Sequence, residues 1–200
     1  KQENANTPDY WDKIWTLGMQ EAESRASRIM MPLYLEIAEE IPRYADVIDV
    51  GAGVGMLMEI LSRTRQARCH GVELSGEAVE EMKRRLFSAE RADLGEWQYP
   101  AKGEPLIVST ETIEHLDDKR LDHFLTQVAK APKAIFSCPE GELPGTPAGE
   151  HMQVFEKATL RKRLKKHFRN VKIKQVRRDG RTNYLLAVCD NQAPKKRKKK

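Results

Sequence analysis

Glu111, Glu114, His115 and His151 are the residues whose types and spacing point most directly to chemistry. The first three stand in the run Glu-Thr-Ile-Glu-His, and a helical turn there would place them on one face. His151 follows a later strand-like run and can reach the same crevice. Two carboxylates and two imidazoles suit an octahedral divalent ion such as Mg²⁺ or Mn²⁺. Such an ion would orient a bound hydroxyl and lower its pKa. Without a metal, His115 or His151 is the candidate general base, because an unperturbed imidazole titrates near neutrality. Glu111, His115 and His151 are therefore the catalytic candidates. A structural reading stays open, in which Glu114 and His115 only cap and hydrogen-bond a loop.

The second chemical feature is Asp49-Val50-Gly51-Ala52-Gly53-Val54-Gly55. A β-branched run, Val47-Ile48-Asp49-Val50, delivers three glycines into a helix-like segment. Gly51 and Gly53 let the backbone bend and approach a ligand at the positive end of that helix, and Gly55 lets the helix pack closely. Glu73 ends the next strand-like run, where a carboxylate can accept both hydroxyls of a ribose. A dinucleotide fingerprint requires Gly-x-Gly-x-x-Gly, but here the third glycine comes one residue early and Met56 stands in its place. Asp49 also faces a cationic ligand better than a pyrophosphate.

Positioning these residues calls for alternating strands and helices. Strands are expected at Val47–Val50, Cys69–Leu74, Leu106–Thr110 and Lys133–Cys138, with helices at Met56–Arg63, Gly76–Phe87 and Leu121–Ala131. That rhythm predicts an α/β fold, a Rossmann-like, doubly wound and mainly parallel sheet. After a helix at Lys157–Phe168 the rhythm changes. Val171–Arg177, Asp179-Gly180 and Thr182–Val188 read as a C-terminal antiparallel hairpin. Upstream, helical spacing from Glu21 to about Tyr44 is interrupted by Pro32, which is expected to start a new helix. Residues 1–44 thus form an N-terminal helical lid, 45–190 the main domain, and 191–200 a disordered basic tail.

The net charge of +5 conceals an asymmetry. Residues 157–189 hold twelve Lys and Arg against the single acid Asp179, while residues 1–156 carry a net −11. Six further cations close the chain, from Lys195 to Lys200. An acidic body with a basic end suggests an anionic partner, nucleic acid or acidic lipid, unless the tail only solubilises. No apolar run is long enough to span a bilayer, and the expected location is cytoplasmic. Cys69, Cys138 and Cys189 are far apart, which argues against a zinc site or disulfide framework.

These stretches resemble the class I S-adenosylmethionine-dependent methyltransferases. Val47–Gly55 resembles their first motif, Gly71-Val72-Glu73-Leu74-Ser75 their second, and Ala92-Asp93-Leu94 their adenine-binding position. Thr110–Leu116 is similar to the Glu-x-x-Glu-His segment after the fourth strand, and Gly149–Leu160 to the region before the last large helix. The nearest subgroup is the ubiquinone-biosynthesis O-methyltransferase type. The resemblance implies a seven-stranded sheet and S-adenosylmethionine as cofactor, with Gly51 and Gly53 at its methionine part, Glu73 at the ribose, and Asp49 and Gly55 also among the cofactor-binding residues. It further implies Asp93 and Leu94 at adenine, Thr110 near the sulfonium, and Arg28 as a candidate partner of the cofactor carboxylate. Tyr10 and Trp11 are candidates for a lid. The expected reaction is methyl transfer to a hydroxyl or amine of a small or lipid-like acceptor. Two alternatives stay open: an RNA 2′-O-methyltransferase-like enzyme with a divalent metal, and a non-catalytic, cofactor-binding interaction module. Ser109-Thr110-Glu111-Thr112 stands where DNA base N-methylases carry Asn/Asp-Pro-Pro-Tyr/Phe, which disfavours that activity.

Overall fold

The computed structural model describes residues 6–141, 150–177 and 183–192, apart from the side chains of 17–28. Its elements run α1 (Pro8–Glu40), β1 (Asp46–Val50), α2 (Met56–Arg65), β2 (Arg68–Glu73), α3 (Gly76–Arg84), β3 (Ser88–Arg91) and β4 (Leu106–Thr110). A 3₁₀ turn at Ile113–His115 precedes α4 (Asp118–Val128), β5 (Ala134–Pro139), α5 (Lys157–Leu164), β6 (Asn170–Arg177) and β7 (Asn183–Asp190). Seven strands form one sheet in the order β3-β2-β1-β4-β5-β7-β6. All pairings from β3 through β5 are parallel, and β7 runs antiparallel to both neighbours.

The sequence explains this arrangement. The central strands β1 and β5 are nearly continuous apolar runs and are buried almost throughout, because helices cover both sheet faces. One face packs Trp97, Phe124, Phe136 and Phe168 beneath α4 and α5. The other packs Leu33, Ile37 and Ile41 of α1 with Leu57 and Leu61 of α2. β1 lies between β2 and β4, so the chain leaves it first to one side and later to the other. The carboxyl ends of these strands open a crevice at that switch point. Pairing of Asp49 with both Gly71 and Val108 aligns the three ends and gathers the glycine turn, Glu73 and the segment after Thr110.

Three expectations need correction. Pro32 lies inside α1, which continues unbroken from Pro8 to Glu40. An interior proline costs about 3 kcal/mol, but Leu33, Tyr34, Ile37, Ala38 and Ile41 are all buried around it, and that packing holds the helix. α3 stops at Arg84 rather than at Phe87, because Leu86 takes a left-handed φ of 66°. β3 is the seventh strand, at a place where no run was read as one. Ser-Ala-Glu-Arg carries no apolar pattern, and it is a strand only because β2 offers it a free edge. The Asp179-Gly180 turn lies outside the described residues, although β6 and β7 pair as a hairpin requires.

Candidate active site

Gly51, Gly53 and Gly55 adopt positive φ values of 75°, 54° and 82°, a region that costs a side chain strain. Space forbids a side chain as well: a Cβ on Gly51 would lie 2.2 Å from Thr112 Oγ1, and one on Gly53 2.6 Å from the Trp15 ring. Gly55 ends the turn as the N-cap of α2.

Glu73 secures the turn. Its Oε2 accepts from the Gly53 N–H at 2.9 Å, and its Oε1 accepts from Leu74 and Ser75 at 2.8 and 3.1 Å. Burial raises its pKa, while these three backbone donors pull it down. Asp49 sits below the turn with neither carboxylate oxygen hydrogen-bonded. Burial, together with the charge of Glu73, pushes its pKa up to about 7.

A cavity opens over the turn. On one side it is lined by Gly51, Glu73, Leu74, Asp93 and Leu94, and on the other by Glu111, Thr112, His115 and Leu116. Trp11 and Trp15, one helical turn apart on α1, cover it. The helix is fastened to both banks. Asp12 Oδ1 accepts from Ser75 Oγ at 2.6 Å, and the Tyr10 hydroxyl donates to Glu150 Oε2 at 2.7 Å. The Trp11 ring stands edge-on to His115, with centroids 5.0 Å apart.

On the far bank the buried 3₁₀ turn places Glu114 and His115 side by side, with His115 Nε2 4.0 Å from Glu114 Oε1. The other ring nitrogen, Nδ1, lies 3.0 Å from the Glu150 carbonyl. A carbonyl only accepts, so Nδ1 carries the proton and Nε2 keeps its lone pair. Burial holds the His115 pKa below its ordinary value, so the ring is neutral at pH 7. His151 stacks edge-on at 5.0 Å. Potential ligand atoms of Glu114, His115 and His151 all lie within 4.8 Å of one another. Glu114 Oε2 is buried without a hydrogen-bond partner, and burial with the nearby Glu111 charge raises the Glu114 pKa well above the carboxylate range.

The expected site residues therefore divide. Gly51, Glu73, Asp93, Leu94, Glu111 and His115 share the cavity. Asp49 lies beneath it, and the side chain of Arg28 lies outside the described residues. Thr110 does not line the cavity, whereas Thr112 does, with its hydroxyl donating to the Thr110 carbonyl. Glu111 is close enough for its charge to act on Glu114, but it is not among the three described residues whose ligand atoms lie within 4.8 Å of one another. It precedes the 3₁₀ turn at a φ of 50°, and its Oε1 accepts from Ser137 Oγ at 3.0 Å. Arg120, which also lines the cavity, was not foreseen, because Asp-Asp-Lys-Arg reads only as a helix start. The spacing of Trp11 and Trp15 was a usable signal, since residues four apart share a helix face.

A methyltransferase-domain family model matches residues 22–171. The chain belongs to the class I S-adenosylmethionine-dependent methyltransferases. Solved structures share the fold of this methyltransferase. The DhpI–SAH complex matches with a TM-score of 0.73 at 18% identity, covering 92% of this chain and 94% of that one. The methyltransferase domain of bacterial CtHen1 gives 0.67 at 19%, covering 82% and 100%. A Haemonchus contortus phosphoethanolamine N-methyltransferase with bound S-adenosyl-L-methionine gives 0.65 at 12% identity. The match covers 80% of this methyltransferase but 52% of that chain. No curated protein sequence matches the methyltransferase. Among its described residues no helix is long and apolar enough to cross a membrane.

Proposed function

We propose that this methyltransferase transfers a methyl group from S-adenosylmethionine to a hydroxyl of a small acceptor held beside His115. The observation carrying this reading is that one cavity joins the glycine turn and Glu73 to the His115 imidazole. The residues fit the cofactor. The turn admits no side chain, Glu73 Oε2 keeps one lone pair for a ribose hydroxyl, and Asp93 with Leu94 provides an acceptor and an apolar surface for adenine. The carboxylates of Asp49, Glu73 and Glu111 favour a cation.

When bound, the cofactor supplies a methyl group already activated on a positively charged sulfur. The protein's part is to align and to hold a proton. The cavity beside His115 would hold the acceptor hydroxyl in line with that methyl group and its sulfur leaving group. The hydroxyl proton passes to His115 Nε2, whose lone pair the Glu150 carbonyl fixes by holding Nδ1–H. The first two turns of α1 act as the lid, with Trp11 and Trp15 excluding water and Asp12 and Tyr10 as its two fastenings.

Glu114 Oε2, buried without a partner, favours a second version of the same site. Glu114, His115 and His151 are the residues that would hold a divalent ion, which supplies Lewis-acid polarisation of the hydroxyl. With the His115 ring committed to such an ion, the Glu111 carboxylate in the same cavity would be the group left to take the proton. The basic C-terminal region is a further candidate surface for an anionic partner. Lys162, Lys166 and Lys172 are exposed on α5, just after it and on β6, and salt-dependent heparin retention with and without residues 191–200 measures the contribution of the tail.

Calorimetric titration with S-adenosylhomocysteine, followed by tritium transfer from methyl-labelled S-adenosylmethionine, tests the reading. His115→Ala should lower turnover about 100-fold while product binding is unchanged. Absence of binding to the wild type would refute the proposal.

A further inference from the structure

A second cavity of about 220 Å³ adjoins the first. Its polar lining comes from Asn6, Thr7, Asp93, His115, Asp117 and Arg120. Asn6, Asp93, His115 and Arg120 belong to both cavities. A molecule seated here reaches His115 without entering the space over Gly51 and Glu73.

The side chains define what that molecule can be. Arg120 lies between two carboxylates, with Nη2 3.1 Å from Asp93 Oδ2 and Nε 4.0 Å from Asp117 Oδ2. Its stem crosses Gly95, where a Cβ would meet Arg120 Cγ at 2.9 Å, so the guanidinium is held in position. A phosphate or carboxylate entering here would face a lining of two carboxylates and one guanidinium, net negative, and an ammonium group would have to compete with Arg120 for carboxylates it already holds. Among the described residues an acyl chain would find only Pro8 and Met152 as apolar surface. A neutral ligand rich in hydroxyls meets no such penalty. Each hydroxyl both donates and accepts, so a neighbouring pair can donate to a carboxylate and accept from the guanidinium. Asn6 Oδ1 is buried without a partner and supplies one more acceptor.

We infer that this second cavity is the acceptor site and that the acceptor is a sugar, a neutral ring with vicinal hydroxyls, one of which is methylated beside His115. The inference rests on the O-methyltransferase reading and adds the substrate class. Asp117 is the specificity residue that can be tested without disturbing the fold. Its Oδ1 caps α4 by accepting from the Arg120 N–H at 2.8 Å, and asparagine caps a helix equally well.

The probe is methyl-tritiated S-adenosylmethionine, incubated with the enzyme and a heat-treated extract of the cells that make it. The expected result is label in an RNase-resistant fraction, abolished when the extract is first oxidised with periodate, which cleaves vicinal diols. Asp117→Asn should raise the half-saturating amount of that fraction about tenfold at similar maximal rate, as loss of a charge-assisted hydrogen bond implies. S-adenosylhomocysteine affinity should not move. Label that survives periodate overturns the sugar assignment while leaving the methyltransferase reading intact, and so does label that is lost to RNase. An untreated extract that accepts no label, with S-adenosylhomocysteine bound normally, also overturns it. Failure to bind S-adenosylhomocysteine is the distinct outcome that removes the underlying reading.

Discussion

Asp49→Asn should make the protein more stable at alkaline pH and weaken its cofactor site. The carboxyl is buried, its oxygens have no hydrogen-bond partner, and its pKa stands at about 7 against an ordinary 3.8. That rise corresponds to about 4 kcal/mol at 1.36 kcal/mol per pKa unit. A raised carboxyl means that the folded state holds a proton the unfolded state has released. The stability linked to it is complete below the unfolded pKa near 4 and is lost progressively as pH rises to about 7. Asparagine cannot ionise, so the variant escapes this loss. Any cost of its unsatisfied amide applies equally at every pH and cancels in the comparison. Between pH 5 and pH 8 the variant should gain about 2–3 kcal/mol on the wild type, or about 5–10 °C in Tm for a chain of this size. Thermal denaturation of both proteins across that range is the assay. A Tm difference that stays constant with pH would refute the assignment of the raised carboxyl to Asp49. The same proton links to the ligand: a cationic cofactor favours the ionised form, so wild-type affinity should strengthen as pH rises to about 7 and then level off.

Glu73→Ala should weaken S-adenosylhomocysteine binding at least tenfold by calorimetry, about the value of charge-assisted hydrogen bonds to a ribose. It also frees the Gly53 N–H, so Glu73→Gln, which can still accept that bond, should fall between the two. Gly53→Ala should lose cofactor affinity and lower Tm, because the new Cβ meets the Trp15 ring at 2.6 Å and φ is 54°. Adding Trp15→Ala should recover part of the stability, since it removes the clash but not the backbone strain. Glu114→Gln should abolish Mn²⁺ binding measured by paramagnetic relaxation if the cluster holds a cation, and Mn²⁺ affinity unchanged by the substitution would count against the cluster.

Legibility in the sequence followed the strength of the local pattern. β1, β4 and β5 could be read because central strands of a parallel sheet are written as apolar runs. The glycine turn could be read because positive φ at three nearby positions restricts residue choice. Ser88–Arg91 carries no such mark, since an edge strand is specified by its partner's hydrogen bonds. Pro32 misled because propensity is a local cost, while the burial of Leu33 and Ile37 that overrides it is a tertiary gain. Glu111 and Glu114 looked equivalent by spacing, yet a left-handed residue and a 3₁₀ turn send one to Ser137 and the other to the two histidines.

The sequence by itself determined the alternation of strand and helix, the cradle at residues 51–55 and the carboxylate at the end of the next strand. Each is a short-range consequence of backbone sterics and side-chain period. Only the tertiary structure decided that α1 crosses the crevice, fastened through Asp12 and Tyr10. It also decided that Glu150 sets the tautomer of His115, and that Arg120 stands between Asp93 and Asp117. These contacts join residues from 27 to 140 positions apart or turn on side-chain direction. Nothing in local propensity encodes them, because the free energy that selects them appears only when the sheet has already brought the partners together.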